Sequence, residues 1–347
     1  MIICLVMSVK FNAPWHQLKH AWVGASYPPE FYSGIKNSYI RDSLQKIARE
    51  TEEDYLNLID VLTQFSIKVE RPNIDLDLTI LDYVNNEGRL DYVSANSFTL
   101  LPRPPMQPRD SMLIVGNTML ATNKELHWFD PLIQKLDLGT RSVVRNVHKE
   151  FDAPLVTVIG NHLIVDCREH EWLGDYIQSV CPDRKVVPVM IGGHNDAVFC
   201  PVAPGLIVST YHHNNYADTF PGWEVKYIEN QSWDAIPAWR KFKHSNRMKW
   251  WVPDSDNNLE FEQFVNTWLS HWLGYVEETV FDVNMLQINT NTVLVNNYNK
   301  ELFAWFATKN IEPIIVPFRH RFFWDGGIHC VTADLYREGD TDDFIQF

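Results

Sequence analysis

Paired cysteines are missing from this sequence. Its five cysteines stand at positions 4, 167, 181, 200 and 330, an odd set in which no two form a CxxC pair. This pattern fits neither a disulfide framework nor a zinc site. A reducing cytoplasm is therefore the expected compartment.

Long apolar runs and the common nucleotide and protease motifs are also absent. The opening MIICLVM is apolar for seven residues and lacks a positively charged start, so it is too short for a signal peptide or a membrane span. Met1 and Met7 are both candidate starts. The chain contains no GxGxxG, GxxxxGK[ST], HExxH or GxSxG, which argues against dinucleotide, phosphate-loop, zinc-protease and serine-hydrolase chemistry.

A positive charge balance is lacking as well. The formal net charge is −14 at pH 7, which disfavours nucleic acid and anionic membranes as partners and favours a cationic small molecule. The basic, aromatic stretch KFKHSNRMKWW (241–251) is interpreted as a solvated face or a protein contact.

What the sequence does contain is a recurring pair of short strands. Two-residue turns join the strands of each pair, and the first three turns are 44 residues apart, whereas the fourth follows after 86. These turns are Gly116-Asn117, Gly160-Asn161, Pro204-Gly205 and Thr290-Asn291.

Helical periodicity lies between these strand pairs. Apolar residues recur at turn spacing over Asp42–Phe65, 171–180 and 301–310. The repeating unit is therefore strand, strand, helix, strand, about every 43 residues, within a single domain over 1–347.

The doubled spacing before the fourth turn predicts an insertion at about 230–280. This stretch is rich in tryptophan and contains one amphipathic helix, whose apolar face is Phe261, Phe264, Val265, Trp268 and Trp272. Two interpretations stay open: a cover over an active site, or a surface subdomain packed on the repeats.

An acidic residue precedes each turn by a similar interval. Asp110 precedes its turn by six residues, and Asp152, Asp196 and Asp282 precede theirs by eight. In a closed ring of repeats these carboxylates would converge on one axis. Such a cluster needs a cation, and a guanidinium matches it best because its planar fork of donors pairs with carboxylate edges.

Cys330 and His194 supply the reactive groups for such a substrate. A thiolate attacks carbon well, and His194 transfers protons near neutral pH with Asp152 orienting its ring. Each residue alone also has a plain structural interpretation: a buried cysteine as a small apolar side chain, the HND at 194–196 as a turn, and Asp110 and Asp152 as turn caps. The shared position in the repeat favours the functional interpretation.

Several segments in order along the chain resemble one enzyme family. These are HQLKHAWVGASYP (16–28), VLTQFSIKVERPN (61–73), PRD (108–110), FDA (151–153), HNDAVFCPVAPGLIVS (194–209) and GGIHCVTADLYREG (326–339). Together they resemble the amidinotransferases of the guanidine-modifying pentein superfamily, such as arginine:glycine amidinotransferase.

The resemblance implies a five-bladed α/β propeller around a central substrate channel. It implies that Cys330 is the covalent nucleophile, His194 the general acid and base, and Asp152 its partner, while Asp110 and Asp196 hold the guanidinium. The implied reaction moves the amidino group of L-arginine through Cys330 to an acceptor amine, with glycine as the default, and releases L-ornithine. It needs no metal or organic cofactor.

Some positions depart from the family pattern and leave the acceptor open. His213, within YHHNN, stands where the glycine-using enzyme has an arginine, so we assign it to substrate binding by position. Pro154-Leu155 replace a more polar pair, and Asp325 stands where a third glycine is usual.

Two other functions remain alternatives. A guanidino hydrolase of the arginine or agmatine deiminase type would share Cys330, His194 and the carboxylates, and a propeller without catalysis would serve as a binding module. The tail TADLYREG and the FDA motif favour the transferase. Arginine and an amine are the expected partners, and a homodimer is a candidate assembly.

Overall fold

A computed structural model describes residues 9–74, 79–80, 103–122, 126–136, 144–145, 151–210, 216–228, 258–269, 272 and 282–345. Within those ranges, no helix combines the length and apolar character needed to cross a membrane.

Fifteen strands form five three-stranded sheets in the described part of the chain. The strands are β1 (Gln17–Val23), β2 (Lys68–Glu70), β3 (Met112–Val115), β4 (Thr118–Ala121), β5 (Val144–Arg145), β6 (Val156–Ile159), β7 (His162–Asp166), β8 (Lys185–Val189), β9 (Phe199–Ala203), β10 (Leu206–Ser209), β11 (Glu224–Tyr227), β12 (Leu286–Asn289), β13 (Thr292–Val295), β14 (Glu312–Ile315) and β15 (Thr332–Glu338).

Eight helices accompany these strands in the same ranges. They are α1 (Ser38–Gln64), α2 (Pro108–Ser111), α3 (Leu126–Ile133), α4 (Trp172–Val180), α5 (Tyr216–Thr219), α6 (Leu259–Trp268), α7 (Lys300–Thr308) and α8 (Arg321–Trp324). The mixed α/β class is therefore confirmed.

Every sheet repeats the predicted strand, strand, helix, strand unit. In β3-β4-β5, β6-β7-β8, β9-β10-β11 and β12-β13-β14, the first two strands are antiparallel and the third runs parallel to the second, because a helix carries the chain back between them. The four predicted turns join the antiparallel pairs.

The fifth sheet joins the two ends of the described chain. β15 pairs antiparallel with β1 from Gln17↔Glu338 to Val23↔Thr332, and β1 pairs parallel with β2 across α1. The last strand is thus the first strand of the unit that opens the chain. Cys330 lies two residues before it, so its late position in the sequence follows from this pairing.

One strand of each sheet lines a shared cavity of about 70 Å³. The five strands are β3, β6, β9, β12 and β15, which are the first strands of their units. Residues that lead into these strands are therefore brought toward one region of the molecule.

Helix α1 begins four residues before the predicted Asp42. The side chain of Asn37 accepts a hydrogen bond from the amide of Ile40 at 3.3 Å and caps the helix, a signal that the apolar spacing alone does not carry. The buried face includes Leu44, Ile47 and Tyr55, as predicted.

The described part of the insertion packs on the main core. Helix α6 buries Phe261, Phe264, Val265 and Trp268, and the indole of Trp272 stacks on Trp324 with ring centroids 6.2 Å apart. This favours the packing interpretation for this helix. The remainder of 230–280 lies outside the described residues.

Polar side chains of α1 hold the segment that leads to the Cys330 loop. Asp54 and Glu53 accept hydrogen bonds from Arg319, Glu50 pairs with His320 at 2.7 Å, and Thr51 accepts from the indole of Trp324 at 2.8 Å. His320 and Trp324 are buried, so these bonds satisfy groups that water does not reach.

Stability should fall as the pH drops below about 6.5. Burial is the first cause of a lowered pKa at five histidines, whose ordinary value is 6.5: His16, His20, His162, His320 and His329. Their pKa is lower in the folded chain, so the unfolded chain binds more protons just below pH 6.5 and is favoured there. Burial raises the pKa of Asp54, which acts in the opposite direction, but it is one group against five.

Urea unfolding at pH 8, 7, 6 and 5.5 measures this. His320→Gln should reduce the acid-dependent loss by on the order of 1 kcal/mol, whereas the same change at the exposed His127 should not. A free energy of unfolding that is flat or rises on acidification contradicts the prediction.

Candidate active site

Cys330 lies against the side-chain amide of Asn284. The Nδ2 group of Asn284 donates to the thiol Sγ at 3.0 Å, and its Oδ1 accepts from the backbone N–H of His329 at 2.9 Å. Cys330 is 1% exposed. A donor at this distance in a dry site stabilises the negative charge of a thiolate.

Asp196 lies next to Asn284 beside the same thiol. Its Oδ2 lies 3.8 Å from Cys330 Sγ, accepts from Asn284 at 3.3 Å and pairs with His329 Nδ1 at 2.6 Å. Its Oδ1 is buried without a hydrogen-bond partner. A buried carboxylate oxygen in this condition is costly unless a ligand supplies the donor.

Asp196 is a buried carboxylate that shares a hydrogen bond with the partly exposed imidazole of His329. Burial opposes ionisation, but the hydrogen bond and charge of His329 hold the pKa of Asp196 below its usual value. Burial, followed by the charge of Arg109, lowers the pKa of His329. Since an ionised carboxylate only accepts, Nδ1 of His329 carries the proton.

His194 and Asp152 lie close together, each just before a short turn that leads into a strand lining the cavity. His194 Nε2 lies 3.4 Å from Asp152 Oδ2, and their side chains are 17% and 25% exposed. Asp152 precedes the 3₁₀ turn Ala153–Leu155 that enters β6, and His194 precedes the turn Asn195–Ala197 that enters β9. The contact suits proton transfer by the imidazole with a carboxylate partner.

Asp110 lies on the segment that leads into β3, one of the strands that line the cavity. It lies in α2, two residues before β3, and its backbone carbonyl accepts from Thr122 Oγ1 at 3.0 Å. The side chain of its neighbour Arg109 lines the cavity beside Asp196 and His329.

Two arginines, Arg337 buried and Arg109 partly exposed, both bind the buried Asp334. Arg109 and Arg337 both donate to Asp334, each at 2.8 Å. Burial opposes ionisation of Asp334, yet the two guanidinium groups hold its pKa far below the ordinary range. Arg109 also donates to the backbone carbonyl of His329 at 3.3 Å, which ties this cluster to the Cys330 loop.

The glycines before Cys330 allow close packing. A Cβ at Gly326 would collide with the side chain of Gln107, whose Nε2 donates to the carbonyls of Trp324 and Asp325 at 2.9 and 2.8 Å. Asp325 itself has φ of 51°, in the left-handed region that glycine adopts most readily, at the position where the family has a third glycine.

Asp282, a predicted site residue, is bonded to side chains of its own repeat. Both carboxylate oxygens of Asp282 accept hydrogen bonds, from the side-chain amides of Asn297 and Asn299. Its assignment to substrate binding stays a prediction. His213 lies outside the described residues.

Sequence reasoning missed Asn284 and His329. Asn284 lies two residues before β12, as Cys330 lies two before β15 and Asp110 two before β3. Counting back from the strand start would therefore have found it. His329 was visible as the neighbour of Cys330 in GGIHC.

The described residues contain no group of three or more histidine, cysteine, aspartate or glutamate side chains placed to hold a metal ion.

Replacing Asn284 by alanine should slow alkylation of Cys330 by iodoacetamide about tenfold or more, because the thiolate loses a charge-assisted hydrogen bond. Mass spectrometry of the labelled peptide gives the rate. Asn297→Ala, in the same repeat, removes an amide that bonds to Asp282 and should leave the rate unchanged. Equal rates in the Asn284 variant and the unmodified chain would contradict the assignment.

The curated proteins to which this chain is similar in sequence include two amidinotransferases. No family model matches the chain. Glycine amidinotransferase, mitochondrial, of Xenopus laevis is 20% identical over 372 residues, covering 92% of this chain and 76% of that protein. L-arginine:L-lysine amidinotransferase of Pseudomonas savastanoi pv. phaseolicola is 22% identical over 211 residues, which cover 58% of this chain and about half (49%) of that protein.

The solved structures agree in fold. Inosamine-phosphate amidinotransferase StrB1 from Streptomyces griseus superposes with a TM-score of 0.66 at 16% identity, covering 97% of this chain and 99% of that one. SxtG, an amidinotransferase from Microseira wollei, gives 0.65 at 14% identity, with the same coverage. The chain is thus similar in sequence to amidinotransferases and shares the fold of two solved ones. A dimethylarginine dimethylaminohydrolase also shares the fold, with a TM-score of 0.55 at 11% identity and coverage of 91% of this chain and 99% of that one.

The predicted resemblance to the amidinotransferases is therefore confirmed. The substrates named for the relatives differ among them, so the relatives alone do not choose an acceptor.

Proposed function

We propose that the chain transfers the amidino group of L-arginine to an amine through a covalent intermediate on Cys330. One observation supports this most directly: the buried, unpartnered Oδ1 of Asp196 lies on a carboxylate whose other oxygen is 3.8 Å from the thiol. A guanidinium placed there gives Oδ1 its donor and brings the central carbon toward Sγ.

In the first half-reaction the thiolate of Cys330 attacks the guanidino carbon and forms an S–C bond. Collapse of the tetrahedral intermediate breaks the C–N bond to the departing amine, which takes a proton from His194 and leaves as L-ornithine. An amidino group remains on sulfur. Asp152 stabilises the imidazolium form of His194 before this transfer.

In the second half-reaction an acceptor amine loses a proton to His194 and attacks the amidino carbon. The S–C bond then breaks and the thiolate is restored, so atoms and protons balance over the cycle. Glycine is the default acceptor, and Asp110 joins Asp196 in holding the guanidinium.

The wider proposal is a single propeller domain over 1–347 whose five sheets close around the substrate channel. It is supported by the cavity that all five first strands line and by the pairing of β15 with β1. A cytoplasmic location and a homodimer belong to the same proposal.

The decisive experiment incubates the enzyme with arginine and a panel of amines: glycine, lysine, taurine, hydroxylamine and small diamines. We expect ornithine in amounts that rise when the right amine is added. Citrulline and ammonia as the main products, whatever amine is present, would establish a hydrolase instead. If no mixture gives ornithine or citrulline, the result would favour a binding module.

A further inference from the structure

Asp166, at the end of β7, is a buried carboxylate encircled by backbone amides. Its Oδ1 accepts from the N–H groups of Arg168 at 3.1 Å and Ile191 at 2.9 Å, and its Oδ2 from those of Gly192 at 2.7 Å and Gly193 at 2.9 Å. The side chain is 2% exposed. The last of these amides belongs to the residue immediately before His194.

The four bonds occupy every acceptor site of the Asp166 carboxylate. An ionised carboxylate offers about four lone-pair sites, so four backbone donors occupy its whole accepting capacity. It has none left for a substrate guanidinium, although it is a buried acid on the strand next to the candidate site. Three of its four bonds go to the loop 191–193, and the fourth goes to the backbone N–H of Arg168.

The loop is shaped to fit this carboxylate. Gly192 has φ of 83°, where a side chain is strained, and a Cβ there would lie 2.7 Å from Cδ of Arg168. The guanidinium of Arg168 donates to the carbonyl of Ile191 at 3.1 Å and closes the loop from the solvent side.

The residue after His194 is anchored to the same strand. The side-chain amide of Asn195 donates at 3.1 Å to the carbonyls of Ile164, in β7, and of Leu155. The amide of Leu155 in turn donates to the carbonyl of Asp152 at 3.1 Å. His194 is therefore fixed from both sides, and the Asp152 turn shares the second anchor.

We propose that Asp166 is a positioning residue for His194, which acts through the Gly192 and Gly193 amides to hold the imidazole at its distance from Asp152. The inference rests on the proposed role of His194 as acid and base. It adds to that role a residue that contacts neither substrate nor thiol.

Asp166→Asn tests the proposal. The carboxamide keeps the shape but turns an NH₂ group toward two backbone N–H donors, so two of the four bonds are lost and the loop shifts. We expect kcat with arginine to fall about 10- to 100-fold. The KM for arginine should change less than about threefold, because the carboxylates proposed to bind the guanidinium, Asp110 and Asp196, are unchanged. The alkaline limb of the kcat/KM profile for arginine should move to lower pH, because His194 must be protonated to serve the departing amine and its imidazolium loses its carboxylate neighbour.

A substrate-free readout separates this inference from the proposed function. In histidine-labelled protein, the ring resonances of His194 should move in Asp166→Asn, whereas Asp183→Asn, a change of an exposed carboxylate in the same repeat, should leave them in place. If the resonances move but no amidino transfer occurs in the unmodified enzyme, the positioning role stands and the proposed function fails.

A second variant covers the case in which Asp166→Asn does not fold. Arg168 is exposed, so Arg168→Gln should fold and should move the same resonances by a smaller amount through the bond to Ile191. The proposal would be overturned if every folded variant matched the unmodified enzyme in its His194 resonances, its kcat and its pH profile.

Discussion

Cys330→Ala should abolish both half-reactions while the chain stays folded. Without the thiolate no S–C bond forms, so arginine turnover is expected to fall by at least about four orders of magnitude. The alanine side chain is smaller and the loop keeps its backbone bonds to Asn284, so circular dichroism and the unfolding midpoint should change little. Ornithine release under single-turnover conditions measures the loss.

Cys200→Ala is the matched control for this variant. Cys200 is also buried and lines the central cavity, but burial raises the pKa of its thiol to about 12, and its Sγ contacts Gln287 Nε2 at 2.7 Å. It stays a neutral thiol at physiological pH. Its loss should leave turnover within a few-fold, and substantial turnover by Cys330→Ala would exclude the covalent route.

His194→Gln should slow both half-reactions by about 100- to 10,000-fold, the range that a positioned acid or base contributes. The departing ornithine amine would lack its proton donor, and the acceptor amine would lack its base. Stopped-flow or quenched measurements of ornithine formation and of amidino-product formation test the two steps separately.

The carboxylates around His194 provide the comparison. Asp152→Asn should slow proton transfer with arginine binding largely kept, because Asp152 lies 3.4 Å from the imidazole. Asp110→Asn should mainly weaken arginine binding. Normal rates for His194→Gln would show that another group carries the proton, and the reverse pattern at the two aspartates would mean that their roles are exchanged.

The repeat was predictable because its signals are local. Two-residue turns such as Gly116-Asn117 and Gly160-Asn161 punctuate strands, and helical periodicity places α4 and α7 within one residue of their predicted starts. The pairing of β15 with β1 joins residues more than 300 positions apart. No local pattern in the sequence predicts that pairing, which was expected only if the repeats close into a ring.

The site was predictable in part. The residues that the prediction misplaced or missed follow from its method, which counted residues back from each hairpin turn. Asp152 and Asp196 fall before strands that are entered by 3₁₀ turns, whereas Asp282 is followed by a different backbone path in which the amide of Met285 bonds to the carbonyl of Val283. Equal spacing therefore does not give equal placement, and Asn284 takes the position beside Cys330.

Asp166 was beyond sequence reasoning for another reason. Its partners are backbone amides of Ile191, Gly192 and Gly193, and an amide partner leaves no side-chain signature to read. The fold of the loop has to be known before the carboxylate acquires a role.

The proposed reaction depends on a covalent amidino group on Cys330 that an amine later removes. Its most direct test is the intact mass of the enzyme mixed with arginine alone, followed by peptide mapping. We expect one amidino adduct per chain, located on Cys330, with an equal amount of ornithine released. An unmodified enzyme that converts arginine steadily to citrulline without any amine, or an adduct on a different residue, would contradict it.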